Sequence, residues 1–348
     1  MMKTFLSLLL VGLSITANAQ IRSGQEPYLT KSLVSAAIKN VEVKTSGGSI
    51  SVTGGSNTDA RVEVYVNQNN NRSGATLSKE EIKKRIESDY DLTVSVSNGK
   101  LIARAKPKER FMDWKRGLNI SFRVYVPQKI STELTTSGGS IQLVNISGEQ
   151  HFTTSGGDLN IDQVSGKTEG STSGGSIHLK DSKDNLYLRT SGGDIEATDC
   201  TGNLQLSTSG GSLRLNNLSG LVKASTSGGD VTGSNISGEL NTHTSGGDIE
   251  LRDLACSLET STSGGNLEVA IKKPGKYVRL SNSGGDITLH LPKNTAADLD
   301  LQAEQVNVGK LDAFNGTIEK DEVHGKLNGG GVRITADAGS GNVSLTVR

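Results

Sequence analysis

The sequence predicts an all-β protein: a single-chain β-solenoid with 18-residue rungs, flanked by less regular β segments and one short inserted helix. Three observations lead to this prediction. Ser-Gly-Gly, followed by Ser, Asp or Asn and then by Ile, Leu or Val, recurs every 18 residues, the chain has 43 glycines, and only 3% of its residues are aromatic. A fixed period indicates units that bury their apolar faces by stacking on one another. The scarcity of aromatic side chains argues against a thick globular core.

The N-terminus is typical of a secretory signal peptide over residues 1–19. Met1-Met2-Lys3 precedes an apolar run over residues 5–13, and Ala17-Asn18-Ala19 forms an A-x-A cleavage site. The run is shorter than the roughly 20 apolar residues that a spanning helix needs. We therefore expect an extracytoplasmic protein, in the periplasm, at the cell surface or secreted, with no transmembrane segment.

Residues 20–134 are predicted to form an N-terminal β segment, because apolar and polar residues alternate there, as in Val41-Glu42-Val43. A helical insertion is predicted near 78–89. Ser78 and Glu81 form a capping box at its start, and apolar residues spaced by four follow. We expect this helix to pack against an end or edge of the solenoid.

Residues 135–291 are predicted to form the regular solenoid. In each unit, apolar residues lie four and six positions after the Ser of Ser-Gly-Gly, and a spacing of two indicates a strand with one buried face. A second strand follows a turn that contains glycine. The units begin at Ser137, Ser155, Ser173, Ser191, Ser209, Ser227, Ser245, Ser263 and, after a two-residue slip, Ser283, and an isolated copy stands at Ser46.

The Ser-Gly-Gly corner has the most regular residue pattern. Its consecutive glycines predict positive φ angles at a tight corner in every rung. The Thr before each Ser, from Thr136 to Thr262, predicts a ladder of identical side chains that share hydrogen bonds. The residue after Gly-Gly alternates mainly between Ser and Asp, as in Ser140 and Asp158, which avoids a column of like charges about 4.8 Å apart.

Residues 292–348 are predicted to form degenerate C-terminal rungs and a cap. The strict period fades there, but Gly329-Gly330-Gly331 and Gly339-Ser340-Gly341 are each followed by strand-like residues. Atypical terminal units are expected because an open end would expose unpaired strand edges.

Cys200 and Cys256 are the two cysteines of the chain. A pair in an oxidising compartment suggests a disulfide. The two residues, however, lie three rungs apart, about 14 Å along the axis, which exceeds the ~7 Å limit for bridged Cα atoms. We therefore expect two free thiols at small core positions. Cys200 falls in a column that otherwise holds Ile146, Val164, Leu218, Ile236 and Leu254.

The order of elements resembles a known family. Strand-like segments at 46–52, 100–103 and 124–127 precede the Ser-Gly-Gly ladder and a glycine-rich closing strand. This order is similar to that of the bacterial putative-adhesin domain of unknown function, over most of the mature chain. The resemblance implies a secreted or envelope-facing β-solenoid that binds at a surface, and it implies no catalytic residues. The insertion at 78–89 and the loop near Trp114 depart from the plainest pattern of that family.

Composition and spacing favour neither a metal nor nucleic acid as a ligand. The 37 basic and 37 acidic residues leave no net charge to attract a polyanion. The five histidines stand at different offsets in the repeat, so they form no column. Calcium takes about 6–8 oxygen ligands, whereas Asp alternates with Ser after Gly-Gly. No cofactor is expected.

The strongest local signal is the segment 106–116, which contains the only tryptophan. Basic side chains beside Phe and Trp suit stacking on sugar rings or docking on anionic surface polymers. Arg110, Phe111, Trp114 and Lys115 are therefore the candidate ligand-binding residues. An alternative stays open, in which the aromatic residues fold back as a cap on the solenoid and leave the basic ones in solvent.

The predicted function is that of a non-catalytic adhesin or scaffold, secreted or envelope-associated, that binds surface polysaccharides or glycans. Extended parallel strands present long, rigid rows of polar side chains, which suit repetitive polymers. Two alternatives remain. One is a polysaccharide-active solenoid enzyme with paired carboxylates. The other is an ion- or ice-binding repeat protein, although Arg189 and His243 interrupt the Ser/Thr column that runs from Thr135 to Ser261.

Overall fold

The computed structural model describes residues 26–34, 36–68, 77–109 and 117–348. The predicted signal peptide lies outside these residues. The strands, which join in a single sheet, and the helices are β1 (Leu29–Ser32), β2 (Asn40–Lys44), β3 (Ile50–Gly55), a 3-10 helix (Asn57–Asp59), β4 (Arg61–Gln68), α1 (Lys79–Asp89), β5 (Tyr90–Ser97), β6 (Lys100–Pro107), β7 (Leu118–Pro127), β8 (Ser131–Thr135), β9 (Ile141–Val144), β10 (Ser147–Thr153), β11 (Leu159–Asp162), β12 (Ser165–Ser171), β13 (Ile177–Lys180), β14 (Lys183–Arg189), β15 (Ile195–Thr198), β16 (Thr201–Ser207), β17 (Leu213–Ser225), β18 (Val231–His243), β19 (Ile249–Thr262), β20 (Leu267–Ile271), β21 (Tyr277–Asn282), β22 (Ile287–Leu291), β23 (Ala297–Val308), β24 (Phe314–Ile318), β25 (Glu322–Leu327) and β26 (Val332–Val347).

Each regular rung contributes one strand to each of two parallel columns. In the first column, β9, β11, β13 and β15 pair in register, so that Ile141, Leu159 and Ile177 lie in line. In the second column, β10, β12, β14 and β16 pair in register, and Leu186 aligns with Leu204. β17, β18 and β19 are each long enough to turn the corner and to pair in both columns. The predicted all-β solenoid with 18-residue rungs is confirmed.

At the N-terminal end, the order of the rungs in space differs from their order in the chain. β2 lies between β6 and β8, and β3 lies between β7 and β9. Along the solenoid axis, the rung at 40–55 therefore lies between the rung at 100–127 and the rung that contains β8 and β9, although it comes first in the sequence. The isolated Ser46 copy belongs to the ladder, because the Ser137 N–H donates to the Ser46 carbonyl oxygen (3.0 Å). The antiparallel strands β4 and β5 pair along the outer rung, and β1 pairs with β4.

The C-terminal end uses the same arrangement. β26 pairs with β21 and β22 on one side and with β23 on the other, so the last rung in the chain is not the last in space. Gly341 lies at the corner against Gly285, and the Asn342 N–H donates to Asp286 Oδ1 (2.8 Å). β25 pairs antiparallel with β23, and β24 with β25. Both ends of the solenoid are thus bordered by antiparallel strands.

The core is a narrow stack of aliphatic side chains between the two columns. The positions four and six residues after each repeated Ser, from Ser137 to Ser263, are buried. Toward the N-terminus, Thr132, Gln150 and Thr168 take the core position that later rungs fill with an aliphatic residue, and the Thr132 hydroxyl donates to Gln150 Oε1 (2.7 Å). In the second column the later residues at this position are Leu186, Leu204, Val222, Leu240 and Leu258, all buried.

The two cysteines are free and buried, as predicted. Burial raises the pKa of Cys200 to about 11 and that of Cys256 to about 12. Both thiols are therefore protonated at neutral pH, which makes them unreactive core residues.

The Ser-Gly-Gly corner requires glycine because adjacent rungs approach closely. The predicted positive φ is wrong, since the glycines of this motif lie outside the left-handed region. A Cβ added to Gly193, the second glycine of its motif, would lie 2.2 Å from the carbonyl oxygen of Gly175 in the rung before. The first glycine has room, because a Cβ on Gly192 would lie 3.6 Å from its nearest neighbour, the Ser173 carbonyl oxygen.

The Thr before each repeated Ser connects adjacent rungs. The buried Thr190 hydroxyl donates to the carbonyl oxygen of Gly175 (2.8 Å) and accepts the N–H of Gly193 (3.3 Å). The predicted Thr ladder is present, but its hydroxyls bond the main chain rather than one another. The same two bonds recur at Thr136, Thr154, Thr172, Thr208, Thr226, Thr244 and Thr262.

Left-handed backbone is concentrated at the opposite corner of each rung. A residue with φ between 48° and 56° stands there, and in most rungs it is Asn or Asp, which tolerate this region better than other L-residues. A glycine with positive φ follows three residues later in most rungs. The left-handed residues are Asn145, Gln163, Asp181, Asp199, Asn217, Asn235 and Asp253.

Helix α1 is the predicted insertion. Ser78 is its N-cap, and the Ser78 hydroxyl accepts the N–H of Glu81 (3.2 Å). Ile86 is buried, and Leu77 and Ile82 pack against the core, so the helix lies beside β5 near the N-terminal end. It has 11 residues, and the described part of the chain contains no helix that could cross a membrane.

Candidate binding face

The loop site predicted from the sequence lies outside the described residues. Arg110, Phe111, Trp114 and Lys115 all fall within 110–116. The choice between a ligand site and a cap therefore stays a prediction.

The outer surface of the second strand column is another candidate, and we call it the polar face. Side chains that alternate with the core positions point away from the core there, in straight columns along the solenoid axis. Parallel, in-register pairing spaces them about 4.8 Å apart. One column includes His151, Glu169, Tyr187, Gln205 and Lys223. The next includes Thr153, Ser171, Arg189, Ser207 and Ser225.

A depression of about 470 Å³ lies in the polar face, and we call it the Tyr187 depression. Tyr187 and Arg189 belong to one rung, and Ser171 and Ser207 occupy the Arg189 column in the rungs on either side. Because both serines are short, they leave space beside the long Arg189 side chain. The polar lining is completed by His151, Thr153, Glu169 and Gln205.

Charge in the Tyr187 depression is compensated except at Arg189. Glu169 lies 2.6 Å from Lys167 Nζ and 3.1 Å from His151 Nδ1. Hydrogen bonding to Lys167, with a smaller effect from His151, lowers the pKa of Glu169. The Arg189 guanidinium, by contrast, has no hydrogen bond or ion pair with another described residue. On the other outer surface, Arg214 is held by Asp194 at 3.1 Å.

Tyr187 supplies an aromatic surface with a fixed orientation. Its side chain is half-buried, and its phenol oxygen accepts a hydrogen bond from Asn203 Nδ2 (3.2 Å). An aromatic ring surrounded by hydroxyl, amide and guanidinium groups can bind a ligand that has both apolar faces and polar edges. Sugar rings have this character.

A second depression of about 500 Å³ lies further along the polar face, and we call it the acidic depression. Glu259, Asp300 and Asp337 line it together with Arg279. Arg279 is already engaged, since its guanidinium lies 4.7 Å from the centroid of the Tyr277 ring and 4.0 Å from Glu259. Carboxylates therefore outnumber cations, which disfavours an anionic ligand there.

At the N-terminal end of the polar face, Glu42 is buried beneath basic side chains. Its carboxylate lies 2.6 Å from Lys100 Nζ and 3.2 Å from Lys44 Nζ, and it also pairs with Arg104. Hydrogen bonds from Lys100, and then from Arg104 and Lys44, lower the pKa of Glu42 to about 2. Lys44 pairs with Glu133 as well (2.8 Å). These cations are engaged within the protein, so the cluster is structural.

The Ser and Asp residues after Gly-Gly also have a structural role. Asp158 Oδ1 accepts the N–H of Ser176 (2.9 Å), and Asp194 Oδ1 accepts that of Ser212 (2.8 Å). Where Ser precedes, its hydroxyl takes this place, as Ser140 does for the Asp158 N–H (3.1 Å). The Ser212 N–H is the largest cause of the lowered pKa of Asp194. Among the described residues, no group of three or more His, Cys, Asp or Glu could hold a metal ion.

The sequence pattern does not predict the Tyr187 depression. In the sequence, Arg189 interrupts a Ser/Thr column, and the repeat pattern gives Tyr187 no predicted role. The signal that could have found them is departure from the repeat, because both replace small or polar residues at outward positions whose columns the period already defines.

Residues 176–346 match the sequence model of the family described as Toastrack DUF4097. The match begins inside the ladder, and the same two strand columns continue on its N-terminal side as far as β6 and β7. No curated protein matches the chain. A crystal structure of a putative cell adhesion protein from Clostridium sporogenes ATCC 15579 is similar at 11% sequence identity and a TM-score of 0.18, covering 90% of this chain and 94% of that chain. A TM-score of this size supports no inference about fold or function.

Proposed function

We propose that this chain, which matches the Toastrack DUF4097 family over residues 176–346, is a non-catalytic adhesin or scaffold of the cell envelope. Its proposed ligand is a surface polysaccharide or glycan. The function of the family is unknown, so the proposal rests on the molecule itself. The observation that carries it is the Tyr187 depression, an aromatic and hydrogen-bonding site set in a rigid polar face.

Rigidity favours binding of a repetitive polymer. Each outward side chain of the polar face stands on a strand that is paired on both sides, and the rungs are cross-linked by buried Thr hydroxyls. Little backbone freedom is lost when a ligand binds such a surface, so more of the contact energy contributes to affinity. A location in the envelope is supported by the signal peptide predicted over residues 1–19.

The charges of the depression support binding without turnover. Glycoside hydrolysis generally uses two carboxyl groups, one on each side of the scissile bond. The lining of the Tyr187 depression has one carboxylate, Glu169, which is engaged by Lys167 and His151. A binding protein needs no such pair.

The test is binding of purified residues 20–348 to a panel of envelope polysaccharides and surface glycans. We expect Tyr187→Ala to reduce binding, and His178→Ala, on the outer surface of the first column, to leave it unchanged. The triple replacement of Arg110, Phe111 and Trp114 by Ala tests the loop in parallel. Loss in the triple variant alone would move the site to the loop. Binding by no panel member would overturn the proposal, and so would release of new reducing ends from a bound polymer.

A further inference from the structure

We infer that the Tyr187 depression binds an anionic sugar, with Arg189 holding its carboxylate or sulfate group and Tyr187 stacking against its ring. This inference rests on the proposed function and narrows the ligand to acidic polysaccharides. It assigns separate roles to two residues of one rung, which can be tested one at a time.

The Arg189 guanidinium forms no ion pair with another described residue. Along the regular rungs, Arg214 pairs with Asp194, Arg252 with Glu250 (2.7 Å), and Arg279 with Glu259. Arg189 alone among the described arginines of these rungs has no such partner. A guanidinium presents a planar fork of donors that matches the two oxygens of a carboxylate or sulfate. The binding capacity of Arg189 is therefore available to a ligand.

The residues around Arg189 leave its guanidinium accessible to an anionic group. Glu169, the one carboxylate of the lining, is paired with Lys167 (2.6 Å), so it does not compete for Arg189. Ser171 and Ser207 leave space on both sides of the guanidinium and offer hydroxyls. Sugar hydroxyls can exchange hydrogen bonds with such groups while the anionic group occupies the fork.

The acidic depression supplies an internal comparison. It lies on the same face, has a similar volume, and draws Glu259, Arg279 and Asp300 from the column that contains Tyr187. Its arginine is paired and its carboxylates are in excess. An acidic polymer should therefore bind at the Tyr187 depression and avoid the acidic one, although the backbone of the two sites is alike.

The experiment measures binding of residues 20–348 to polygalacturonate, dextran sulfate and neutral dextran of matched length. We expect one or both acidic polymers to bind, and the two arms separate a carboxylate from a sulfate ligand. Arg189→Ala should weaken that binding about tenfold or more, as expected for loss of a charge-assisted pair. Arg189→Lys keeps the charge and loses the planar fork of donors, so its affinity should lie between those of the wild type and Arg189→Ala. Arg214→Ala removes an equal charge from a residue that is already paired and should leave the affinity unchanged.

Stacking is tested with Tyr187→Phe and Tyr187→Ala. The first keeps the ring and should retain binding, whereas the second should lose it. Circular dichroism and thermal unfolding of every variant verify the fold. Equal losses for Arg189→Ala and Arg214→Ala would indicate general charge attraction and overturn the inference. Neutral dextran bound as tightly as the acidic polymers, with no effect of Arg189→Ala, would overturn the inference and leave the proposed function standing. Binding by no polymer, here or in the panel above, would overturn both.

Discussion

The Ser-Gly-Gly corner and the polar face run along the same ladder, but they follow the repeat to different degrees. At the corner, Thr-Ser-Gly-Gly returns in eight successive rungs, from Thr136 to Thr262, because these residues touch the rung before, as Thr190 and Gly193 touch Gly175. On the polar face the register is equally strict, yet residue types change from rung to rung, and Tyr187 and Arg189 have no counterparts in neighbouring rungs. Repetition therefore reflects the demands of stacking, and departure from repetition indicates where a ligand could be bound.

The largest expected effect separates the two glycines of one corner. Gly193→Ala places a methyl group 2.2 Å from a main-chain oxygen that cannot move without parting the rungs. We expect a loss of roughly 3 kcal/mol in the free energy of unfolding, at the upper end of overpacking effects. Urea unfolding followed by far-UV circular dichroism measures it.

Gly192→Ala is the matched control, one residue away in the same motif. Its methyl group would meet ordinary van der Waals contacts, the nearest at 3.6 Å. We expect a change within about 0.5 kcal/mol. If both variants lose stability equally, turn conformation rather than rung spacing makes the corner glycines necessary.

This pair of glycines shows where sequence reasoning succeeds and where it stops. An 18-residue period with apolar residues at fixed offsets predicts strands, core and stacking, because those properties repeat along the chain. The reason for the second glycine is a distance between residues 18 apart in sequence, so the pattern predicts the residue type without its cause. For this reason the pattern predicts positive φ at glycines whose φ is not positive.

The sequence pattern also does not predict long-range topology or the pairing of side chains. The Ser46 copy adjoins Ser137 because the rung at 100–127 lies outside it, and no local pattern specifies that exchange. Arg189 is a candidate ligand residue because no acidic side chain in the described part of the chain pairs with it, whereas Arg214 is held by Asp194. Such a difference appears only when neighbouring rungs are in place.

Removal of a corner hydroxyl should have the next largest effect. Thr190→Val keeps the shape of the side chain but takes the donor from the Gly175 carbonyl and the acceptor from the Gly193 N–H. Buried groups left unsatisfied cost about 1–3 kcal/mol. Thr190→Ser retains the hydroxyl and should lose less, as thermal unfolding of the two variants would show. A Val variant as stable as the Ser variant would contradict a hydrogen-bonding role for this ladder.

Glu42 lies on the polar face, but unlike Arg189 it should stabilise the folded protein. Its pKa falls from an ordinary 4.5 to about 2 in the folded protein, so its stabilising contribution is complete above about pH 4.5. That contribution is lost as the pH falls toward 2. The difference in urea midpoint between the wild type and Glu42→Gln should therefore be widest near neutral pH and shrink in acid. A difference that stays constant down to pH ~2 would show that the basic cluster does not lower this pKa.

The smallest effect on stability is expected at Arg189, the residue that should matter most for binding. Its side chain is exposed, and its guanidinium forms no hydrogen bond or ion pair with a described residue. Substitutions at such surface positions usually change stability by less than about 0.5 kcal/mol. Arg189→Ala should therefore unfold at the same urea concentration as the wild type while losing affinity for an acidic polymer. A loss of stability like that of Thr190→Val would mean that Arg189 supports the ladder, and the distinction between the repeated corner and the variable face would then fail.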